Sequence, residues 1–497
     1  MLVSNQKYTR AMKKNTIQIL ALGLTLMMAL SCSDKNLTFA PEGKLPEEKF
    51  FVTEAHAEQA VNAIYAHMRT WGQVAFSYYA IQEMPSDNAL KGSAVGDASF
   101  LNQYVYFSVV SSEGQVNDYW ASRYKGVNLC NQVIDNIGKT TAGDAIKIRL
   151  TAEAKFLRSF FYFDLVRAYG DLPLVVSTAK AAEQAAVRVA KSKVYDQIVS
   201  DLTDAVNGLP VSYDIQNIGR ATKGAAQTLL AKVDLYLGKY PEAATLSDQV
   251  IQSNAYQLMG NFWSLFRIAN ENCKESVFEV QCPYDVGDWN LTNCQFAEPQ
   301  GVRGDYGWGF NVPSDDLATA FDAAGDQIRK DATIIYFGNT TPNGELIGGI
   351  GLNEMEGVAI PRYNGKAYST MAERDEFGWW SSWGQNIRMI RYSEVLLINA
   401  EAKVRAGNAA GGAISLNMVR SRVNLPSIGA PTLDDVLNER RLELAMEGDR
   451  FFDLVRTGKA SAKLSSKGFA GGKNEVFPIP QSIIDMTNGT ITQNPGY

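Results

Sequence analysis

Histidine is almost absent from this chain: His56 and His67 are the only two among 497 residues. On one helix their spacing separates them by about 16 Å at 1.5 Å per residue, so they cannot share a metal, and a histidine-centred acid–base device has little to build on. Cysteine is scarce too. Beyond Cys32 only Cys130, Cys273, Cys282 and Cys294 remain, and the spacings among the last three fit no zinc pattern. A disulfide among those three and free buried thiols are both compatible with the sequence. No metal site, cofactor or catalytic residue is expected, because the G-x-S-x-G elbow, the phosphate-binding P-loop and the G-x-G-x-x-G dinucleotide turn are also missing. Long apolar runs are lacking: Ile19 to Leu30 falls well short of the roughly 20 residues that a membrane-spanning helix needs. Positive charge is in deficit, with 47 basic against 53 acidic residues, and four of the cations (Lys7, Arg10, Lys13, Lys14) lie in the first 31 positions. That balance argues against nucleic acid as a partner.

The N-terminal run has the flanks of an export signal. Met12-Lys13-Lys14 opens a short basic region ahead of it, and small Ser31 stands directly before Cys32. Lipoprotein signals of this kind usually carry leucine three residues before the cysteine; here Ala29 holds that place, with Leu30 one position later. We read residues 1–31 as a lipoprotein signal whose true start is Met12, Cys32 as the lipidation site and 32–49 as a tether. Acyl tails contribute about 0.8 kcal/mol per buried CH₂, so several of them make an effectively permanent anchor.

With 46% hydrophobic and 20% charged residues, the remainder has ample material for a globular core. Thr222 to Leu237 places Ala226, Leu229, Leu230, Val233 and Leu237 on one helical stripe, with Thr222 as cap and Gly238 as stop. The following helix starts at Pro241, and the junction Gly238-Lys-Tyr-Pro-Glu-Ala243 has the form of a tetratricopeptide turn. Further helix pairs are expected at 118–138 with 149–169, 191–207 with 222–237, and 389–406 with 411–422. The chain is therefore read as mostly α, a tetratricopeptide-like helical repeat scaffold. From 255 to 388 the helical period fades into glycines, prolines and aromatics, as in Gly301-Val-Arg-Gly-Asp-Tyr-Gly-Trp-Gly-Phe310, which is expected to be a large insertion of loops and short strands. Six of the eight tryptophans fall in that interval, so tryptophan is concentrated outside the helices.

Those aromatics carry the strongest chemical signal. Sugar rings present flat C–H faces that pack on indole and phenol rings, while their hydroxyls seek polar side chains at the rim. The ligand-binding candidates are Trp71, Tyr78, Tyr79, Trp289, Tyr306, Trp308, Trp379 and Trp380, with Asp87, Asn88 and Asp288 as polar partners. Signals for catalysis are poorer. Ser86-Asp-Asn88 and Ser177-Thr-Ala-Lys180 stand in the wrong order for a penicillin-recognising enzyme, and no Lys-Thr-Gly element exists. Glu443 and Glu447 share a helical face but are interleaved with Arg440, Arg441 and Arg450, which lower carboxylate pKa values where a glycosidase acid needs one raised.

Several long stretches resemble the SusD-like (RagB/SusD) family of outer-membrane nutrient-binding lipoproteins. They include Phe50-Phe-Val-Thr53 with Ala60-Val-Asn-Ala-Ile-Tyr65, the run from Glu153 to Leu174, and Thr222-Lys-Gly-Ala-Ala226. Arg391 to Ala402, Leu416-Asn-Met-Val-Arg420, Glu439 to Leu444, Gly448 to Arg456 and Gln493-Asn-Pro-Gly-Tyr497 continue it. The resemblance spans residues 50–497 and implies four tetratricopeptide-like units against an irregular ligand-binding portion. It also implies a partner, a SusC-like TonB-dependent transporter, to which glycan captured at the cell surface is delivered. Ser33-Asp34 is similar to the acidic signal that sends such lipoproteins to the outer leaflet. The matched motifs are scaffold, so Glu153, Arg158, Arg167, Glu401, Arg440, Arg441 and Arg456 are expected to tie helices together, while Ser86-Asp87-Asn88 sits in a family turn near the site. The expected function is non-catalytic glycan binding at the outer membrane. Peptide or another nutrient is the alternative ligand, and glycoside hydrolysis a more distant reading.

Overall fold

The computed structural model describes residues 50–282, 294–305, 307–348, 355–377 and 384–497. Phe50 to Val52 belong with the preceding residues to a unit separate from Thr53–Tyr497, and within it the Val52 N–H donates to the Phe50 carbonyl.

In the larger unit, α1 (Glu54–Met68) starts where the Thr53 hydroxyl accepts from the His56 N–H. A helical turn, Trp71–Val74, leads into α2 (Phe76–Gln82). The long pair α3 (Gly114–Asn136) and α4 (Asp144–Tyr169) follows, then α5 (Lys191–Gly208), α6 (Lys223–Tyr236) and α7 (Tyr240–Gln252). From α3 to α7 each helix packs on the next. The crossing of α3 and α4 is close because Gly126 has no side chain: a Cβ there would lie 2.5 Å from the Phe161 ring. The α6–α7 turn forms as its sequence dictates, with Thr222 capping the Ala225 N–H, Gly238 at φ +71° and Pro241 in the first turn of α7.

Among the described residues three two-stranded antiparallel ribbons form, with every strand but β1 drawn from residues 253–391. β1 (Ala89–Gly92) pairs with β3 (Phe310–Pro313), β2 (Ser276–Val280) with β6 (Ile387–Arg391), and β4 (Ile334–Tyr336) with β5 (Arg362–Asn364). This stretch also holds α8 (Asp315–Ala324), α9 (Gln327–Thr333) and α10 (Met371–Phe377). These short helices replace the loops expected here: Ser314 caps α8, Asp315 and Asp316 occupy its first turn, and Gly325 ends it at φ +67°. Residues 389–391 depart from the expected helix. These residues belong to β6 rather than to a helix, and α11 (Tyr392–Arg405) starts only after Arg391, whose backbone is extended at φ −117°, ψ 157°. α12 (Ala409–Arg422), α13 (Leu433–Glu443) and α14 (Arg450–Arg456) complete the array. α7 packs directly on α11 despite the long intervening segment, so the helical layer is continuous in space where it is broken in sequence. The fold is mostly α, a tetratricopeptide-like array.

Buried ion pairs bolt the layers together. Arg391 binds Glu275, Glu443 and Glu447, Arg422 binds Glu275 and Glu443, and Arg329 reaches Asp326, Glu439 and Glu443. The expected helix ties are all present: Glu153 with Arg149 and Arg220, Arg158 with Asp201, Arg167 with Asp164 and Asp449, and Glu401 with Arg405 and Arg456. Arg440 joins Glu394, Asp449 and Asp453, and Arg441 joins Asp316. Of the tryptophans in the irregular stretch, Trp263 is core, buried with Phe262, Phe266 and Tyr363 and covered by the Arg267 guanidinium at 4.2 Å.

Candidate functional site

Trp71 opens the short helical turn before α2, and that turn is clamped from α3. The Gly72 carbonyl accepts from Arg123 Nη1 (2.7 Å) and Ser122 Oγ (2.6 Å), while the Gln73 carbonyl accepts from Arg123 Nη2 (3.0 Å). The indole is thus held on rigid backbone yet stays 42% exposed. Trp308 arrives from the glycine-rich loop. Its N–H donates to the Glu298 carbonyl, and its carbonyl accepts from Arg303 Nη1. The loop closes tightly: a Cβ on Gly307 would sit 2.3 Å from the Gly301 carbonyl carbon, which only glycine avoids.

Phe76 joins the two indoles. Its ring meets Trp71 edge-on at 5.7 Å and Trp308 at 5.8 Å, with Phe310 and Tyr79 behind it and Phe100 beside it. Trp71 and Trp308 stand 6.1 Å apart and inclined at 45°. Trp308, Phe76 and Phe100 are half-buried, so the group is a shallow aromatic surface with its back in the core.

A polar rim adjoins it. Arg303 Nη1 donates to the Asp97 carboxylate and to Ser93 Oγ, and Ser93 Oγ also donates to Asp97. Lys91 pins the same loop through the Ala94 and Asp97 carbonyls and pairs with Glu356 at 2.7 Å, which also accepts from Asn102. Desolvation works against both anions, but Arg303 and Ser93 hold the Asp97 carboxyl below its usual range, and Lys91 and Asn102 do the same for Glu356.

The structure reassigns four candidates. Tyr78 and Tyr79 lie on the inward face of α2, and Tyr79 is 1% exposed; burial pushes both phenols well up. The Tyr78 hydroxyl donates to the Glu447 carbonyl, and its ring packs on Phe296. Asp87 is buried and receives both arms of Arg450 at 2.7 Å, while Asn88, 0% exposed, accepts from Arg441 Nε at 2.9 Å. The Ser86-Asp87-Asn88 turn therefore staples β1 to the C-terminal helices and has no surface to offer a ligand. Asp288, Trp289, Tyr306, Trp379 and Trp380 lie outside the described residues, as does Cys32. Phe76, Phe100, Asp97, Arg303 and Glu356 were not anticipated, because only folding brings 71–76, 93–102, 303–310 and 356 together.

His67 is buried, and its Nε2 meets the Ser122 carbonyl at 2.7 Å; burial lowers its pKa. Among the described residues no group of side chains could hold a metal ion. A cleft of about 230 Å³ lined by Tyr213, Arg220, Tyr256 and Lys274 shares no residue with the aromatic surface, and its Arg220 is already occupied by Glu58, Glu153 and Asn62.

Residues 274–497 match the model of the SusD family, and residues 42–235 match one described as starch-binding associating with outer membrane. The chain belongs to the SusD family. Its relatives include SusD-like protein P2 of Formosa agariphila, 29% identical over 98% of this chain and 100% of that protein. The starch-binding protein SusD of Bacteroides thetaiotaomicron is 24% identical over 71% of this chain and 74% of its own. Among solved structures, a laminarin binding SusD-like protein superposes with a TM-score of 0.77 at 28% identity, covering 90% of this chain and 100% of that one. Surface glycan-binding protein A from Bacteroides thetaiotaomicron, in complex with laminarihexaose, gives 0.75 at 25% identity over 89% and 100%.

Proposed function

We propose that this SusD-family protein captures glycan at the cell surface on the Trp71–Phe76–Trp308 platform and delivers it to a SusC-like TonB-dependent transporter, anchored in the outer membrane through Cys32. The observation that carries the reading is the platform itself: two indoles with open faces on clamped backbone, beside a polar rim, in a fold shared with a neighbour bound to laminarihexaose. Pyranose C–H faces pack on the indoles, and hydroxyls reach Asp97, Arg303 and Asn102 at the rim. Rings inclined at 45° suit a chain that turns between successive sugars better than a flat ribbon. Each sugar contributes little alone, so affinity grows with the number of contacts along the chain.

The reading is of binding without catalysis. Asp97 and Glu356, the two carboxylates paired with cations at the rim, are held ionised, whereas burial raises the Glu298 carboxyl beside Trp308, so sugar release by the purified protein is the measurement that separates binding from hydrolysis. Glu443 and Glu447 are buried among Arg329, Arg391, Arg422 and Lys366. Calorimetric titration with laminarin-type and starch-type oligosaccharides, and with peptides as a second arm, tests the reading. Oligosaccharide binding lost in a Trp71→Ala/Trp308→Ala variant of unchanged melting temperature supports it. Binding that survives both substitutions, binding of peptide alone, or sugar release by the purified protein overturns it.

A further inference from the structure

Among the described residues, the rim beside Trp308 presents its cations already paired. Lys91 is 1% exposed at its side chain and is taken up by Glu356 and by the Ala94 and Asp97 carbonyls. Arg303 is part-exposed, but its Nη1 is shared among Asp97 Oδ2, Ser93 Oγ and the Trp308 carbonyl, so its charge is neutralised at contact distance. Arg69, two residues before Trp71, has a partner of its own. Segments 283–293, 349–354 and 378–383 and position 306 contain no lysine or arginine, while Asp285, Asp288 and Glu354 lie among them, so no cation comes from there. The acids are more open. Asp97 Oδ2 takes both the Arg303 and the Ser93 bonds, which leaves Oδ1 without a hydrogen bond among the described residues on a side chain that is 40% exposed. Glu356, the second acid, keeps part of its side chain in solvent beside Asn102.

We propose that the platform selects neutral oligosaccharides over uronic-acid and sulfated ones, and that Asp97 sets the choice. The selectivity rests on the glycan-binding reading above. Asp97 acts in two ways. Through Oδ2 it occupies the guanidinium that an anionic sugar would otherwise bind. Through Oδ1 it offers an acceptor that a sugar hydroxyl fills, whereas a carboxylate or sulfate has no proton to donate at neutral pH. An anionic group seated beside the indoles also meets Asp97 and Glu356 as like charges, since their cation partners keep both carboxyls below the usual range. A like charge within about 4 Å costs roughly fivefold in affinity even at the dielectric of bulk water. That repulsion reaches further as salt is removed, because the screening length grows from about 10 Å at 0.1 M to about 30 Å at 0.01 M.

The test is calorimetric titration of the purified protein with matched pairs: laminarin-type and starch-type oligosaccharides, each beside its own C6-carboxylate and sulfated derivatives, at low and at physiological salt. The neutral member is expected to bind roughly tenfold tighter than its anionic derivatives, with the gap widening as salt is lowered. A merely steric rejection would not respond to salt, and this arm is read on the wild type alone. Asp97→Asn keeps an oxygen for Arg303 and removes the charge, and it is expected to close most of that gap by strengthening the anionic member. Equal affinities, tighter binding of a derivative, or a gap that ignores both salt and Asp97→Asn overturns the selectivity and leaves glycan binding standing. Binding of peptide alone, or failure of every sugar in the panel to bind, overturns both.

Discussion

Two regions of this protein use opposite chemistries. Where β6, α9, α12 and α13 meet, charge is buried and every guanidinium is matched: Arg391, Arg422 and Arg329 converge on Glu275, Glu439 and Glu443. At the aromatic surface, rings meet edge to face and leave one side open, and the charges stay at the margin, where Asp97 keeps a side-chain exposure of 40% and Arg303 of 31%. The first arrangement punishes any change to one partner, because the other is left charged in a dry interior. The second tolerates change structurally, because its rings already face water. Stability and recognition are therefore separable by substitution.

The largest effect is expected at Glu443. Burial alone would raise its carboxyl, but Arg422, Arg391 and Arg329 outweigh burial and hold it well below the ordinary range. Glu443→Ala leaves three guanidiniums short of a partner and is expected to cost about 3–5 kcal/mol, read by denaturant titration, with glycan affinity of the remaining folded protein unchanged. A stable Glu443→Ala variant would mean the cluster is not what bolts the layers.

Glu83 is the exception within the bolted region. It is buried, one oxygen accepts from the Gly448 N–H, and Glu447 and Asp449 face it alongside Lys366; desolvation raises its pKa to about 8. A folded-state pKa above the unfolded one makes the contribution of Glu83 fully present below about pH 4.5 and lost as pH rises through about 8. Glu83→Gln keeps an acceptor for Gly448 and removes the titration. At about 1.4 kcal/mol per unit of displacement, the shift from 4.5 to about 8 sets a ceiling of about 5 kcal/mol on what the variant gains over wild type at pH 9, with almost nothing gained at pH 4.5. Parallel stability–pH curves for the two proteins would show that Glu83 is not the group responsible.

At the open surface the expected losses are in affinity. Trp71→Ala and Trp308→Ala are each expected to weaken oligosaccharide binding about tenfold, or about 1.4 kcal/mol, while Trp71→Ala shifts the melting temperature little because its ring is so exposed. Phe76→Ala should lose affinity as well, through the loosened indoles, and also some stability. If Trp71→Ala destabilises as strongly as Phe76→Ala, the contrast between the two regions fails.

The helical region was the more legible in sequence. α6 could be bounded from Thr222, its apolar stripe and Gly238, because cap, period and stop are all local signals. Legibility ends where local signals conflict: Ile387–Arg391 runs straight into α11, so the strand reads in sequence as the first turn of a helix, and glycine-rich neighbours conceal the helix that Ser314 caps. At the site, Trp71 and Trp308 were found by residue type alone. Phe76 does not stand out in sequence from the tyrosines two and three places on, since a seven-residue helix is too short for its faces to be read from period. Asp97, Arg303 and Glu356 carry no sequence mark, and only their meeting across long stretches of chain makes them a rim.

The smallest expected effect decides between the two readings of α2. Tyr78→Phe removes one hydroxyl, which donates to the Glu447 carbonyl at 3.3 Å, and a hydrogen bond of that kind is worth about 1 kcal/mol. The Tyr79 hydroxyl is buried with no partner among the described residues, so Tyr79→Phe is expected to be neutral or slightly stabilising. Neither change reaches the open faces of Trp71 and Trp308, and both variants should bind oligosaccharide as the wild type does. A loss of affinity in Tyr78→Phe or Tyr79→Phe beyond about twofold would put phenol hydroxyls back at the ligand and turn α2 around, with Phe76 as packing and the tyrosines as contacts. Unchanged affinity in both, beside a loss in Phe76→Ala, leaves recognition to the indoles and the ring that sets their angle.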